Sequence, residues 1–448
     1  MMKNFFILAL LFIATPTMAS TLDYLNIDWW NRFNDDNLIK NLSIVYQNNY
    51  DLKNAAFKVK ENEKLVKMQF ANELPFANFS GDINRALQAP RQQFGKMVIP
   101  QYSQYNYYLP LTVGYEVDIW GSNRLKTKSM KEQLEIAKQA ERATYIALTS
   151  DFAADYFNLI KADKLLNLQD ELVQTQAKIV SLTTTKYEAG LCTINELLAE
   201  EKFLTTLKEE RNQHKLTKEL LEESLKVYLV NNEDGIPRNT YEKVIQLQNL
   251  PQEYSSSVIA NRPDFKQEEA NIRKIGFDVK VAKREFLPKF TIVGQAGLNA
   301  YRIGSLFNSP SQFLNLGVLP SMDLFSGGRK IAFLKLQKYK YEEAANSYQK
   351  TILECIKELN SALLEYKTAF DNYTESTNRL KTQNTIYNLA KDKNQIGASS
   401  TLDTLYAKEA YLIISKDEVS NKINTIISTI SLYKAAGGID LYNLNEDI

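Results

Sequence analysis

Residue types that carry enzyme or metal chemistry are scarce in this sequence. Its 448 residues include 1 histidine and 2 cysteines, and its 7 methionines are scattered rather than clustered. The motifs HExxH, GxSxG and GxxxxGKS/T, which supply zinc ligands, a nucleophilic serine and a phosphate-binding loop, do not occur in it. The histidine, His214, lies in a run rich in lysine and glutamate, where we expect a solvated side chain. The composition therefore predicts a protein that is not an enzyme and holds no cofactor or metal.

The two cysteines are not expected to form a disulfide. Cys192 lies beside Gly190, whereas Cys355 precedes Gly397 by 42 residues, which is about 60 Å along a helix. Sulfur atoms that far apart cannot be joined. We therefore predict that both cysteines are small, buried, unpaired side chains.

The charge of the chain argues against a nucleic-acid partner. There are 54 Lys+Arg against 53 Asp+Glu residues, so the basic surface that a polyanion requires is not indicated. The length allows two or three ordinary domains.

The first residues have the pattern of a secretory signal peptide. A short basic start is followed by the apolar run Phe5–Ala14 and by small residues before Ser20, which predicts a signal peptide over 1–19. No cysteine follows it, so we expect no lipoprotein anchor. No other segment has 18 continuous apolar residues, so the exported chain is expected to be soluble or to enter a membrane as a β-barrel.

Two very long helices dominate the predicted fold. No glycine or proline occurs between Ser122 and Ala189, or between Arg329 and Ile396. Because these residue types interrupt helices, each run predicts one helix of about 100 Å. Each run ends at a glycine, Gly190 or Gly397, after which a second run free of helix breakers returns. The sequence therefore predicts two long helical hairpins with a glycine at each tip.

The second long helix carries a seven-residue repeat. Large residues recur at every seventh position from Ile352 to Tyr387, and small residues such as Cys355 and Ala362 lie three positions after them. A seven-residue repeat forms a left-handed packing seam. The alternation of large and small predicts close packing against a neighbouring helix, although an ordinary extended coiled coil has the same pattern.

Alternating segments precede each long helix and predict β-strands. In the clearest segment, before the first long helix, apolar residues alternate with polar ones and aromatic residues crowd both ends. One apolar and one polar face, with flanking aromatics, is typical of a membrane barrel strand, although a strand of a soluble sandwich alternates too. The residues predicted to form the apolar face of the strands are Leu111, Val113, Tyr115, Val117, Ile292, Leu298 and Val318.

The order of elements occurs twice. Each half has a helix, a strand, a loop, a second strand, a long helix, a turn and a returning helix, which indicates a duplicated unit. We predict a first repeat over 20–230 with strands at about 76–85 and 105–119. A connector over 231–257, a second repeat over 258–436 with strands at about 289–301 and 313–325, and a tail over 437–448 complete the chain. The loops 85–104 and 302–312 join the strands of each half.

Together these features resemble the TolC family of outer-membrane channel proteins. Single motifs are weak, but their order, their duplication and the leading signal peptide make the resemblance strong, and it covers the whole mature chain. The matching segments are Trp29-Trp30, Arg262-Pro263-Asp264, Leu287-Pro288, the strand exits Asp118-Ile119-Trp120-Gly121 and Asp323–Gly328, and the twin turns at Gly190 and Gly397.

The resemblance implies a homotrimer in the outer membrane of a Gram-negative bacterium. Each chain would give four strands to a shared twelve-stranded barrel, continued by an α-helical barrel through the periplasm. The connector and the chain ends would form a belt midway along the helices. A periplasmic adaptor would dock at the hairpin tips, at Gly190, Leu191, Gly397 and Ala398, and would link the duct to an inner-membrane transporter. The implied function is passive export of small molecules or polypeptides.

The resemblance also implies that the tunnel narrows at the tips. Glu196 and Asp403 each lie six residues after a tip glycine, and in a trimer they would form a ring of carboxylates that attracts cations. Solvated charges at a hairpin tip are the simpler interpretation. The family's gate has an arginine and a further aspartate where this chain has Ser399 and Tyr406. We therefore predict a constriction closed by hydrogen bonds or an aromatic residue, formed by Glu196, Asp403, Asn195, Ser399, Tyr406 and Asn394.

A second function from another class remains open at this point. A periplasmic coiled-coil adaptor or spacer without a pore would also have a signal peptide and long helices. It would behave as a soluble protein, and it does not explain the alternating strands with flanking aromatics.

Overall fold

The fold was analysed in a computed structural model of the chain. It describes residues 26–88, 91–93, 97–99, 101–230, 235–245, 256–440 and 442. The predicted signal peptide, 1–19, lies outside the described residues, as do parts of the connector and of the C-terminal tail.

Helices form most of the described chain, and two of them are very long. α4 and α7 each have 67 residues, a length of about 100 Å. The helices are α1 Ile27–Asn31, α2 Asp36–Asn48, α3 Tyr50–Ala71, α4 Ser122–Glu188, α5 Ile194–Leu229, α6 Pro263–Arg284, α7 Arg329–Gln395 and α8 Thr401–Ala435. Among the described residues, none of these helices contains a stretch long and apolar enough to cross a membrane. The two predicted hairpins are therefore α4–α5 and α7–α8.

The helical run after Asp36 is two helices rather than one. Asn49 has an extended backbone, with φ −60° and ψ 134°, and its side chain accepts hydrogen bonds from the N–H groups of Asp51 and Leu52. An asparagine side chain that caps a helix competes with helix continuation. The apolar periodicity of this segment does not reveal that break.

The strands form one twisted sheet and one small hairpin. Their bounds are β1 Phe76–Phe79, β2 Asp82–Gln88, β3 Arg91–Gln93, β4 Met97–Ile99, β5 Tyr102–Val117, β6 Lys289–Ala300 and β7 Gln312–Ser321. The order of the main sheet is β1-β5-β6-β7, and β2 continues the line of β1 along β5. All pairs are antiparallel. The sheet therefore has four strand positions, two from each half of the chain.

The strand bounds differ from those predicted. β5 ends at Val117, opposite Phe290, and β7 ends at Ser321, opposite Lys289, the first residue of β6. The alternation continues to Ile119 and Phe325, which lie in the exposed turns that lead into α4 and α7. The predicted loop 85–104 also contains strand structure, since β2 extends to Gln88 and β3 pairs with β4.

The pairing register gathers the apolar residues on one face of the sheet. Val113 is opposite Gly294, and Tyr115 is opposite Ile292, which in turn is opposite Val318. Side chains of directly paired residues lie on the same face. The apolar residues on this face of the sheet that are exposed in the single chain are Leu111, Val113, Ile292, Leu314, Leu316 and Val318. One chain therefore leaves an apolar sheet face uncovered.

α4 contacts the other long helices along its whole length. Its first half packs against α3 and α6, where the Ser129 hydroxyl donates to the Asp278 carboxylate at 2.7 Å. Its second half packs against α5 and α8, where Lys161 Nζ donates to Asn424 Oδ1 at 3.3 Å. α6 also packs on α7. The two hairpins are thus joined side by side.

The main hydrophobic core lies midway along the long helices. Trp29 and Trp30 are buried there, and the Trp29 ring stacks on Tyr433 with 3.8 Å between centroids. Tyr156, at the middle of α4, donates its hydroxyl to Asp35 at 2.9 Å. The N-terminal helices and the end of α8 therefore pack on the middle of the first hairpin, and Arg32 binds Asp440 at 2.7 Å beside them.

The seven-residue repeat of α7 is a packing seam. Cys355, Leu359, Ala362 and Tyr366 are buried, and the other repeat residues are half-buried or buried. Thr425 of α8 donates its hydroxyl to the Ala369 carbonyl at 3.0 Å, which the small residue permits. Cys192, by contrast, is half-buried rather than buried as predicted, because it lies in the exposed first tip. Both cysteines are unpaired.

Candidate functional site

The two hairpin tips have the same turn. Gly190 and Gly397 have φ angles of 71° and 76°. In the first tip the N–H of Leu191 donates to the Lys186 carbonyl at 2.8 Å, and in the second Ala398 donates to Lys393 at 2.8 Å. This 6→1 hydrogen bond defines a Schellman motif, which requires a left-handed residue. No atom lies within 4 Å of a Cβ built on either glycine, so the backbone conformation alone requires glycine.

The helices that return from the tips are capped by Thr193 and Ser400, and Glu196 and Asp403 are the third residue of each helix. Asp403 accepts from the Ser400 N–H at 2.9 Å, while the Asp403 N–H donates to the Ser400 hydroxyl at 3.1 Å, a complete capping box. Hydrogen bonding by the Ser400 side chain first, and then by the Ser400 N–H, lowers the pKa of Asp403. At the first tip the Glu196 N–H donates to the Thr193 hydroxyl at 3.3 Å. Both carboxylates belong to the third residue of a returning helix, which explains why each lies six residues after a glycine.

The other residues predicted for the constriction have different surroundings. Asn394 donates to the Ser399 carbonyl at 3.0 Å, and the Ser399 hydroxyl donates to the Ala390 carbonyl at 3.4 Å, so both stabilise the second turn. Asn195 is exposed at the start of α5. The exposed apolar side chains at the tips include Leu191, which is 74% exposed, and Ile396, which is 80% exposed.

Tyr406 connects the two hairpins. Its hydroxyl donates to Glu200 Oε1 of α5 at 2.6 Å. Burial and this carboxylate raise the pKa of Tyr406, so the phenol keeps its proton. The charge of Glu196 also raises the pKa of Tyr406, and the charge of Lys186 lowers the pKa of Asp403. The tips are therefore neighbours within one chain, and Tyr406 is the predicted residue that bridges them.

Two polar layers cross the helices behind the tips. In the first, which we name the Lys416 layer, the buried Gln169 of α4 donates to the Leu207 carbonyl at 2.9 Å and to Glu210 Oε2 at 3.2 Å of α5. Lys416 Nζ of α8 donates to Gln169 Oε1 at 2.5 Å. Lys416 also lies 3.5 Å from Glu210, which completes an ion pair.

The second layer lies nearer the tips, and we name it the Glu409 layer. The buried Gln176 of α4 donates to the Glu200 carbonyl at 3.1 Å and to Glu200 Oε2 at 2.5 Å. Glu409 of α8 is 9% exposed. Burial first, and then the Glu200 charge, raises the pKa of Glu409 to about 7.

Sequence analysis missed Gln176, Glu200 and Glu409. The signal for Glu409 was a charged residue within an apolar seam of α8, whose buried members Leu412, Val419 and Ile423 follow at successive spacings of three, seven and four. A charged side chain at a packing position of a helix requires a polar or charged partner, and for Glu409 of the second hairpin that partner lies on the first hairpin. Among the described residues, no group of three or more His, Cys, Asp or Glu side chains is placed to hold a metal ion.

The fold identifies the class of protein. The chain superposes on the Campylobacter jejuni CmeC outer membrane channel with a TM-score of 0.82, covering 94% of this chain and 91% of that one, at 24% sequence identity. The fold is therefore that of the outer-membrane channels with long helical hairpins, as predicted.

The chain belongs to the outer membrane efflux protein family. The model of that family matches residues 41–226 and 254–438, one segment in each repeat. A probable efflux pump outer membrane protein, TtgC of Pseudomonas putida, is 24% identical over 429 residues, which covers 95% of this chain and 87% of TtgC. The cation efflux system protein CusC of Escherichia coli O157:H7 is 22% identical over 422 residues, covering 91% of this chain and 88% of CusC. These relatives support the exit duct and not the poreless spacer.

Proposed function

We propose that this chain forms a homotrimeric exit duct in the outer membrane and exports small molecules passively. The trimer is supported by the uncovered face and the unpaired edges of the sheet. Its apolar face is uncovered and its outer strands, β1 with β2 on one side and β7 on the other, each have one unpaired edge among the described residues. Unpaired strand edges are not tolerated in lipid. Three copies pairing β7 with the β1–β2 line of the next copy close a twelve-stranded barrel with the apolar face toward lipid.

The long helices form the periplasmic part of the proposed duct. At about 100 Å, α4 and α7 are long enough to reach from the outer membrane across much of the periplasm. The chain has no nucleotide-binding loop, so the energy comes from an inner-membrane transporter. A periplasmic adaptor docks on the exposed apolar residues of the tips, Leu191 and Ile396 among them.

Small molecules are the proposed cargo because of the names of the relatives. The similar proteins include efflux proteins named for toluene, antibiotics and cations. The proposed trimer would bring three copies of Glu196 and Asp403 to the periplasmic opening, where their exposed carboxylates favour cations.

Conductance of the purified protein in a planar bilayer tests this function. We expect discrete openings with a cation preference, and a trimer by native mass spectrometry. Replacing both tip carboxylates, Glu196→Gln with Asp403→Asn, lowers the cation preference in a salt gradient. The control is Glu201→Gln, which removes an exposed charge farther from the tip. A soluble, elongated particle that never inserts would overturn the duct, and an unchanged reversal potential in the double variant would overturn the carboxylate ring alone.

A further inference from the structure

The Glu409 layer contains two buried oxygen atoms that lack a hydrogen-bond partner within the described part of the chain. They are Gln176 Oε1 and Glu409 Oε1. Gln176 is fully buried and Glu409 nearly so. An unsatisfied buried acceptor is costly, so two of them near one another need an explanation.

The helix register places these two oxygens at the same level. α4 runs toward the tip and α8 runs away from it, so a step of seven residues forward on α4 corresponds to seven residues back on α8. Gln169 contacts Lys416. Seven residues on, Gln176 is therefore level with Glu409. The α4–α5 contacts follow the same rule, since Gln169 binds the Leu207 carbonyl and Gln176 binds the Glu200 carbonyl.

The two layers differ in charge. The Lys416 layer places an ammonium group against the Gln169 oxygen and the Glu210 carboxylate. The Glu409 layer has a carboxyl group at the equivalent position of α8, beside the Glu200 carboxylate. The orientation of the Gln176 amide is fixed, because its nitrogen donates to two acceptors of Glu200. Its oxygen must therefore face a donor, and an ionised Glu409 offers none.

We propose that Glu409 is a proton-binding site: on the acidic side of neutrality its carboxyl group is protonated, donates to Gln176 Oε1 and holds α8 of the second hairpin against the first. One proton satisfies both oxygens and removes the repulsion between two neighbouring carboxylates. Loss of the proton leaves two negative charges and two unsatisfied acceptors in the layer nearest the tips. The contact between the hairpins then weakens, and, if the chain is the duct proposed above, its periplasmic end opens more readily.

The surrounding groups favour Glu409 as the residue that holds the proton. Glu200 accepts from Tyr406 and from Gln176, one hydrogen bond on each carboxylate oxygen, so both of its oxygens already have a donor. Lys408, next to Glu409 on α8, is bound by Glu171 of α4 at 2.6 Å. No cation therefore balances the charge of this carboxyl pair among the described contacts.

The other groups around this part of α8 do not supply a positive charge. On α5, Glu196 adds a further negative charge near Tyr406. On α7 the contacts come from Gln383, which donates to the Ala407 carbonyl at 3.5 Å, and from Tyr387, whose ring stacks on Tyr411. The repulsion between Glu200 and Glu409 is thus relieved by a proton.

Infrared difference spectroscopy of the purified, full-length protein tests the proton site directly. Between about pH 6 and about pH 8, we expect a protonated-carboxyl C=O band to disappear with a midpoint near the raised pKa of about 7, since the protonated-to-ionised ratio changes about tenfold per pH unit. The band is absent in Glu409→Gln and present in the control Glu201→Gln. Absence of the band in the wild-type protein, or its persistence in Glu409→Gln, would overturn the proposal.

Conductance over the same pH range tests the consequence for the duct. We expect openings of the wild type to become several-fold more frequent from about pH 6 to about pH 8. Glu409→Gln, whose amide donates without titrating, and Glu409→Lys, which copies Lys416, both remove this dependence. A band without channels at any pH refutes the proposed duct but keeps the proton site. A missing band with openings that respond to Mg²⁺ and to a chelator would overturn the proton site in favour of a metal ion.

Discussion

Gly297→Ala is expected to prevent assembly of the sheet, because the backbone of β5 leaves no room for a Cβ atom at this residue of β6. Gly297 is paired with Pro110. A Cβ atom at position 297 would lie 2.2 Å from the Leu109 carbonyl oxygen and 2.9 Å from Pro110 Cα. A carbon and an oxygen need about 3.3 Å, so the strands must separate by about 1 Å. All three nearest atoms belong to the backbone, so no side-chain rotation relieves the clash.

The cost of that separation follows from the hydrogen bonds of the strand pair. Lengthening N–H···O contacts of about 2.9 Å by about 1 Å takes them out of hydrogen-bond range. Overpacking alone costs about 1–3 kcal/mol, and each backbone group left without a partner adds about 1–3 kcal/mol. We therefore expect several kcal/mol of destabilisation in each chain.

Gly317→Ala is the matched control for this substitution. Gly317 lies in the adjacent strand β7, and a Cβ atom at position 317 would have no other atom within 4 Å. Alanine there is expected to be neutral, or to stabilise by about 0.4–1 kcal/mol through the unfolded chain. Refolding yield into lipid vesicles, and the urea concentration at half-unfolding, measure the difference. Equal yields and equal midpoints for the two variants would refute the register and the close contact at Gly297.

The remaining predictions concern the tips and the equatorial core. Ser400→Ala is expected to speed amide exchange in the first turn of α8, because loss of the cap costs about 1 kcal/mol, and to leave cation preference unchanged. Asp403→Asn is expected to lower the cation preference and to leave amide exchange unchanged, since its side-chain oxygen still accepts from the Ser400 N–H. Equal ion selectivity of the Ser400→Ala and Asp403→Asn variants would contradict separate capping and charge roles. Trp29→Ala removes a buried indole that stacks on Tyr433 and is expected to lower stability by about 3–5 kcal/mol. Trp29→Phe should recover part of that loss in urea unfolding, and a Trp29→Ala midpoint equal to that of the wild type would refute the packing argument.

The long elements were predictable from sequence because their signals are strong and local. Runs without glycine or proline gave α4 and α7 to within one residue at each end, and the seven-residue repeat of α7 gave its buried seam. The break at Asn49 was not predictable, because its cause is one capping side chain inside a periodic segment. The ends of β5 and β7 were missed for a different reason. β7 ends opposite Lys289, the first residue of β6, and β5 ends one residue earlier, opposite Phe290. Such limits are a property of strand pairing, which the alternation of a single strand does not encode.

The tip residues show a second limit of sequence reasoning. The spacing of Glu196 and Asp403 from the glycines identified them as equivalent, and the structure shows each as the third residue of a capped helix. The same spacing says nothing about Glu200 or Glu409, since their relation exists only when two hairpins lie side by side. A charged residue at a seam position, as at Glu409, was the available signal, and it identifies one member of the contact without its partner.

The two polar layers imply where the hairpins separate. The Lys416 layer is closed by an ion pair and by hydrogen bonds that satisfy Gln169 on both sides. The Glu409 layer requires a proton to reach the same state. The layers are seven residues apart, about 10 Å along the helix. Loss of the proton weakens only the Glu409 layer, so it frees the part of α8 between its capping box and Lys416. We therefore expect any separation of α8 from α4 and α5 to begin at the second tip and to end at Lys416.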